Sequence, residues 1–151
     1  MALMRGFGVV DEVGGFTIPL HLRRFAGFCF KDKGVVAIKV LRLKGTTRLP
    51  YLVIHTPEQI PYIAVMLEAI MLESAGMIDE EGRVVLSEEI CEEAKIKPKD
   101  LLEIKIHGAK GLRWVKVHNR GTHRMTTLQE KMGRVKEEIE ELKWFKKEWK
   151  Y

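Results

Sequence analysis

The side chains in this sequence best suited to chemistry are arginines set beside tight turns and one short helix. Arg23 and Arg24 follow Pro19-Leu20-His21-Leu22, and Arg83 follows Glu80-Glu81-Gly82. A guanidinium donates two parallel hydrogen bonds to a phosphate or to the groove edge of guanine, so residue type and setting suit a nucleic-acid contact. The competing role for Arg23 and Arg24 is a solvated helix face, or an ion pair with Asp11 or Glu12. Other candidates carry less. His118 and His123 flank Asn119-Arg120-Gly121 without further ligands at metal spacing. Gly6-Phe7-Gly8 lacks the third glycine and the helix of a dinucleotide loop. Asp11 with Glu12, and Glu80 with Glu81, are turn carboxylates with no partner for acid–base work. Cys29 and Cys91 are too far apart for a redox or metal motif and read as buried thiols in a reducing cytoplasm. The expectation is a binding protein: no enzyme, no cofactor, no metal.

The elements that position these residues are written twice. Val10-Asp11-Glu12-Val13-Gly14-Gly15-Phe16-Thr17-Ile18-Pro19 leads into Leu20–Ala26, and Ile78-Asp79-Glu80-Glu81-Gly82-Arg83-Val84-Val85-Leu86-Ser87 leads into Glu88–Ala94. One offset, 14 to 82, aligns them without a gap as far as Asp32 and Asp100. Each copy reads as strand, turn, strand, short helix, hairpin. In copy one the strands are Phe7–Val10 and Phe16–Ile18. Pro19 stands at the helix start, where no amide donor is needed, and Gly27 closes the helix. Val35–Leu43 and Tyr51–His55 form a hairpin around Lys44-Gly45-Thr46-Thr47. In copy two Arg83–Leu86 is a strand, and Ser87 caps a helix through Ala94 whose first-turn acids suit the helix dipole. Leu101–His107 and Leu112–His118 form the second hairpin.

Between the copies, residues 57–75 are predicted to be a helical connector. Ile63, Leu67, Ile70 and Met71 recur at helical spacing, Gly76 ends the run, and Met66 and Met71 read as core packing. Residues 122–151 are predicted to form a long amphipathic helix. Leu128, Met132, Val135, Ile139 and Leu142 step by 4, 3, 4 and 3, a heptad seam that either self-associates through residues 124–151 or folds back. The resulting division is 1–56, first repeat; 57–75, connector; 76–121, second repeat; 122–151, terminal helix.

The charge of +5 is unevenly spread. Residues 1–56 carry nine Lys/Arg against three Asp/Glu, whereas residues 77–121 balance nine against nine. A basic first unit beside a neutral second one points to an anionic partner, with nucleic acid the commonest. No signal-peptide pattern opens the sequence, and the most apolar stretch, Tyr62–Leu72, is too short to cross a bilayer. The expected setting is cytoplasmic, without a membrane partner.

Asp11-Glu12-Val13-Gly14, Phe16-Thr17-Ile18-Pro19-Leu20 and Leu22-Arg23-Arg24 resemble the SpoVT/AbrB-type DNA-binding domain, over about residues 5–55, with a weaker second copy over about 76–119. The resemblance implies an α+β fold: a pseudo-twofold swapped-hairpin β-barrel from two ββαββ repeats. A unit of about 50 residues buries too little apolar surface to fold alone, which makes interleaving two of them reasonable. It further implies a transcriptional regulator docking a basic barrel face on double-stranded DNA through Arg23, Arg24 and Arg83. The sequence departs from the family at Gly8 and Gly15, where basic residues are usual, and at Cys91-Glu92, where copy two lacks the Arg-Arg pair. The alternative is an antitoxin-like or scaffold module that binds a protein partner and has lost most DNA contacts.

Overall fold

The structure is a computed structural model that describes residues 4–29, 33–109 and 112–121. The expected terminal helix, 122–151, and His123 lie outside the described residues. Eight strands and two short helices follow in the order β1 (Arg5–Val9), β2 (Gly15–Thr17), α1 (Leu20–Ala26), β3 (Lys33–Leu43), β4 (Tyr51–His55), β5 (Glu68–Asp79), β6 (Arg83–Val85), α2 (Glu88–Ala94), β7 (Leu101–Ala109) and β8 (Leu112–Arg120). Helix boundaries follow the sequence signals. Pro19 precedes α1 and Gly27, at φ 77°, terminates it. Ser87 caps α2, its hydroxyl accepting the Ile90 amide at 3.2 Å.

All strands lie in one antiparallel sheet of order β1-β7-β8-β4-β3-β5-β6-β2. Its two ends approach each other, with the Thr17 carbonyl 3.1 Å from where a Cβ on Gly8 would sit, so the sheet forms a nearly closed barrel. Strand alternation turns Val36, Ile38, Val40, Leu52, Ile54, Leu102, Ile104, Val115 and Val117 inward. Leu22 and Ala26 of α1, and Ile90 and Ala94 of α2, enter the same core. Phe16 and Val84, equivalent under the repeat offset, pair with each other. Arg5 faces Lys105 across β1 and β7, and its counterpart Glu73 faces Lys39 across β5 and β3.

The connector departs from expectation. Residues 57–67 form turns, and from Glu68 to Asp79 the chain is a strand, not the second half of a helix. The run Glu68-Ala69-Ile70-Met71-Leu72-Glu73 has helix-forming composition. Pairing with β3 from Leu43↔Glu68 to Lys33↔Asp79 supplies a ladder that local propensity cannot match. Gly76, expected to end a helix, sits within β5, where a Cβ would meet Ile38 Cδ1 at 2.5 Å. Met66 and Met71 are exposed instead of packed in the core. Residues 57–67 cross the outside of the barrel, where Ile63 packs on a second small cluster of Leu41, Tyr51 and Val53, with Leu43 and Trp114 beside it. The Lys44 amide donates to the Leu67 carbonyl at 2.8 Å, and the Arg113 amide donates to Gln59 Oε1 at 2.6 Å, fixing this strap at both ends.

No helix among the described residues is long and apolar enough to cross a membrane. Cys91 is only partly covered and Cys29 is exposed, so the expectation of two buried thiols fails. Cys29 follows Phe28, whose ring fills the core, and alternation carries the next side chain outward.

Candidate nucleic-acid interface

The two turns that precede β2 and β6 are built alike. Asp11 Oδ1 accepts the amides of Val13 and Gly15, at 3.0 and 2.8 Å. Asp79 Oδ1 accepts the equivalent amides of Glu81 and Arg83, both at 2.9 Å. An aspartate that bonds the backbone two and four residues ahead holds its turn without help from other elements. Gly14 and Gly82 take φ 80° and 87°, where a side chain would be strained. The Leu86 amide then donates to the Gly14 carbonyl at 3.0 Å, and the Ile18 amide to the Gly82 carbonyl at 2.9 Å. Each turn therefore anchors the strand end of the other copy.

The three sequence-predicted arginines have different fates on this scaffold. Arg23 is buried: its Nε donates to the Ile18 carbonyl at 2.8 Å and its Nη1 to the Glu80 carbonyl at 3.0 Å. Its guanidinium lies over Gly82, so close that any Cβ there would overlap it. Its donors hold the second turn to the first helix. Arg83 crosses the other way, over Gly15, to Asp11 Oδ2 at 2.6 Å. A Cβ on Gly15 would stand 2.5 Å from Arg83 Nη2 and 2.7 Å from Asp11 Oδ2, which accounts for a glycine where an arginine was expected. The Arg83 hydrogen bond, and after it the Gly15 amide, holds the Asp11 carboxyl below its ordinary range. Asp79 is lowered as well, chiefly by the Arg83 amide. Only Arg24 of the three is exposed.

Arg24 and Phe25, three and four residues beyond His21 on the helix, lie with it on the outer face of α1. The His21 ring nitrogen lies 3.4 Å from the Arg5 carbonyl, and the Arg113 guanidinium lies 4.8 Å over the Phe25 ring. His21, Arg24 and Arg113 therefore gather around a helix that carries no carboxylate, while Arg5 meets it only through its carbonyl and sends its guanidinium to Glu103. Under the repeat offset, His21, Arg24 and Phe25 become Glu89, Glu92 and Glu93 on α2. Arg113 was not singled out from sequence, and no local signal could have found it, since it reaches α1 only because β8 runs beside that helix.

A second polar group lies on the outer faces of β4, β8 and β7. Glu103 is buried and bonded to Arg5 at 3.3 Å, to Lys105 at 3.4 Å and to Arg120. Burial pushes its carboxyl up, but the Arg120 bond and the nearby cations outweigh this and hold it below its usual value. Tyr51 donates to Glu68 and stacks on His118 at 5.4 Å between ring centroids. Burial, then Arg120 and Lys105, presses the His118 pKa down to about 4, so the ring is neutral near pH 7. His118 lies in β8 and not in a turn. Tyr51, Glu68, Lys105, His118 and Arg120, with Arg48, line a groove of about 650 Å³. Lys105 and Arg120 are committed to Glu103, and Lys116 lies 4.0 Å from Glu68, which makes it an ion-pair network across strands. Among the described residues no three His, Cys, Asp or Glu converge as metal ligands. No protein-family model matches the sequence, and no curated protein or solved structure matches it.

Proposed function

We propose that this chain is a DNA-binding regulator of the SpoVT/AbrB type, acting in the cytoplasm and without catalytic activity, whose two repeats interleave as a swapped-hairpin barrel. The strand pairings favour the interleaving, since the first strand of each copy pairs with the long strand of the other. One observation carries the DNA reading: the exposed face of α1 presents Arg24 and His21 with Arg113 alongside, and no acid on the helix. Duplex DNA meets that face. Phosphate neutralisation supplies most of the affinity, and each contact adds to the salt dependence. The α2 face, with three glutamates at the equivalent positions, repels phosphate. Docking is therefore asymmetric, through copy one. In this reading Arg24 is the contact, while Arg23 and Arg83 hold the turns that place α1.

The test is a mobility-shift titration with mixed duplex fragments at several salt concentrations. Arg24→Ala combined with Arg113→Ala should weaken binding at least tenfold and flatten the salt slope by about one to two. Glu92→Ala should not weaken it. Equal binding by the double variant and the wild type at all salts would overturn the assignment. A second reading, a protein-interaction module, is favoured by the exposed apolar strap. Absence of any shift at low salt would select it.

A further inference from the structure

The strap over the outside of the barrel presents more apolar surface than it hides. Tyr62 is 80% and Met66 84% exposed, and Ile60, Val65 and Leu67 are each exposed by more than half. Five such side chains fall within eight residues, an exposed apolar run of a kind that soluble monomers rarely leave open. The backbone beneath is held firmly, with Lys44 donating through its amide to Leu67 and through Nζ to the Val65 carbonyl at 2.6 Å. The patch is thus a fixed surface presented outward.

The described chain ends beside it. Gly121 lines the groove that also contains Leu43, Glu68 and Lys116, and those same three residues line the adjoining hollow of about 170 Å³ under Tyr62, Ile63 and Leu67. Thirty residues follow Gly121, with Leu128, Met132, Val135, Ile139 and Leu142 on one helical stripe. Leu128 is seven steps along the chain from Gly121, a reach of up to about 24 Å when extended, ample to bring the stripe onto the strap. A covalently attached segment acts at high effective concentration, which favours its own chain over another copy.

We propose that residues 128–142 dock their apolar stripe on the strap patch of the same chain, covering Tyr62, Val65, Met66 and Leu67. The docked segment completes the outer cluster formed by Leu41, Tyr51, Val53, Ile63 and Trp114.

The full chain tests this by limited trypsin digestion, since Lys131, Arg134 and Lys136 lie within the segment and Lys143 directly follows it. In the wild type these bonds should be cut slowly, at a rate independent of protein concentration, and the protein should scatter light as a monomer. Tyr62→Glu with Met66→Glu should speed cleavage at least tenfold while circular dichroism of the barrel is unchanged. Val135→Glu with Ile139→Glu should do the same and raise amide hydrogen exchange across residues 60–67. Fast cleavage in the wild type, or protection unaffected by either double variant, overturns the proposal. Protection that grows with concentration, together with a dimer mass, overturns it in favour of docking between two copies.

Discussion

The two turn-and-helix units share a backbone and divide the side-chain work. Turn for turn they make the same hydrogen bonds: aspartate to two amides, glycine at positive φ, and a carbonyl given to the strand end of the other copy. Three of their differences set the side-chain roles: Gly15 against Arg83, Arg23 against Cys91, and Arg24 against Glu92. Two of these differences are complementary. Arg83 reaches over Gly15 to Asp11, and Arg23 reaches over Gly82 to Glu80. The third sets the helix faces apart in charge. A duplicated frame is free to diverge in this way, because once both copies sit in one chain neither has to satisfy its own neighbourhood and that of an identical twin.

The comparison breaks most visibly at the turn glycines. Gly82→Ala and Gly14→Ala both force a side chain into the left-handed region, at about 1–2 kcal/mol. Gly82→Ala also drives Arg23 from its site, for a total of about 3 kcal/mol or more. At Gly14 the new Cβ meets only the Leu86 carbonyl at 3.1 Å and Cys91 Sγ at 3.3 Å. Urea unfolding should separate the two variants, and equal losses would contradict the difference between the copies.

A smaller contrast is expected at the next pair. Arg23→Ala leaves the Ile18 and Glu80 carbonyls without a donor, a loss of about 2 kcal/mol. Cys91→Ala removes one half-buried sulfur, a change of about 1 kcal/mol or less. In the Arg23→Ala background Gly82→Ala should also do less harm, because the group it displaces is gone. That coupling is measured by a double-mutant cycle.

The finest contrast is in titration. Both turn carboxyls are lowered in the folded state, so each favours folding above its unfolded pKa, and the contribution fades as pH falls through the folded value. Arg83→Ala removes the main cause at Asp11 and keeps the main cause at Asp79, since alanine retains the amide. Carboxyl carbon shifts should therefore show Asp11 rising toward its ordinary pKa with Asp79 little moved. Parallel movement of both would refute the assignment.

Much of this frame was legible in the residues themselves. Asp-x-x-Gly turns, Pro19, Gly27 and Ser87 act locally, and each does in the structure what its chemistry dictates. Residues 68–75 were misread because their strand character comes from β3, a partner that periodicity cannot reveal. Arg23 was read correctly as belonging to the short helix but not as buried, since its acceptors include Glu80, 57 positions away. The cluster at α1 was half visible: Arg24 and His21 are neighbours in sequence, whereas Arg113 arrives through the sheet.

The order of the strands governs when this molecule can exist at all. Arg5 waits for Lys105, and Gly15 for Val85. Within the first copy only β3 and β4 find each other as neighbours in sequence. A ribosome adding about 5–20 residues per second therefore extrudes an N-terminal half that stays incomplete for several seconds. During that time β1 and β2 lack their sheet partners, and the apolar face of α1 has no finished core to enter. Folding of this chain is an event of its second half, and a transcript cut short before β7 yields no barrel.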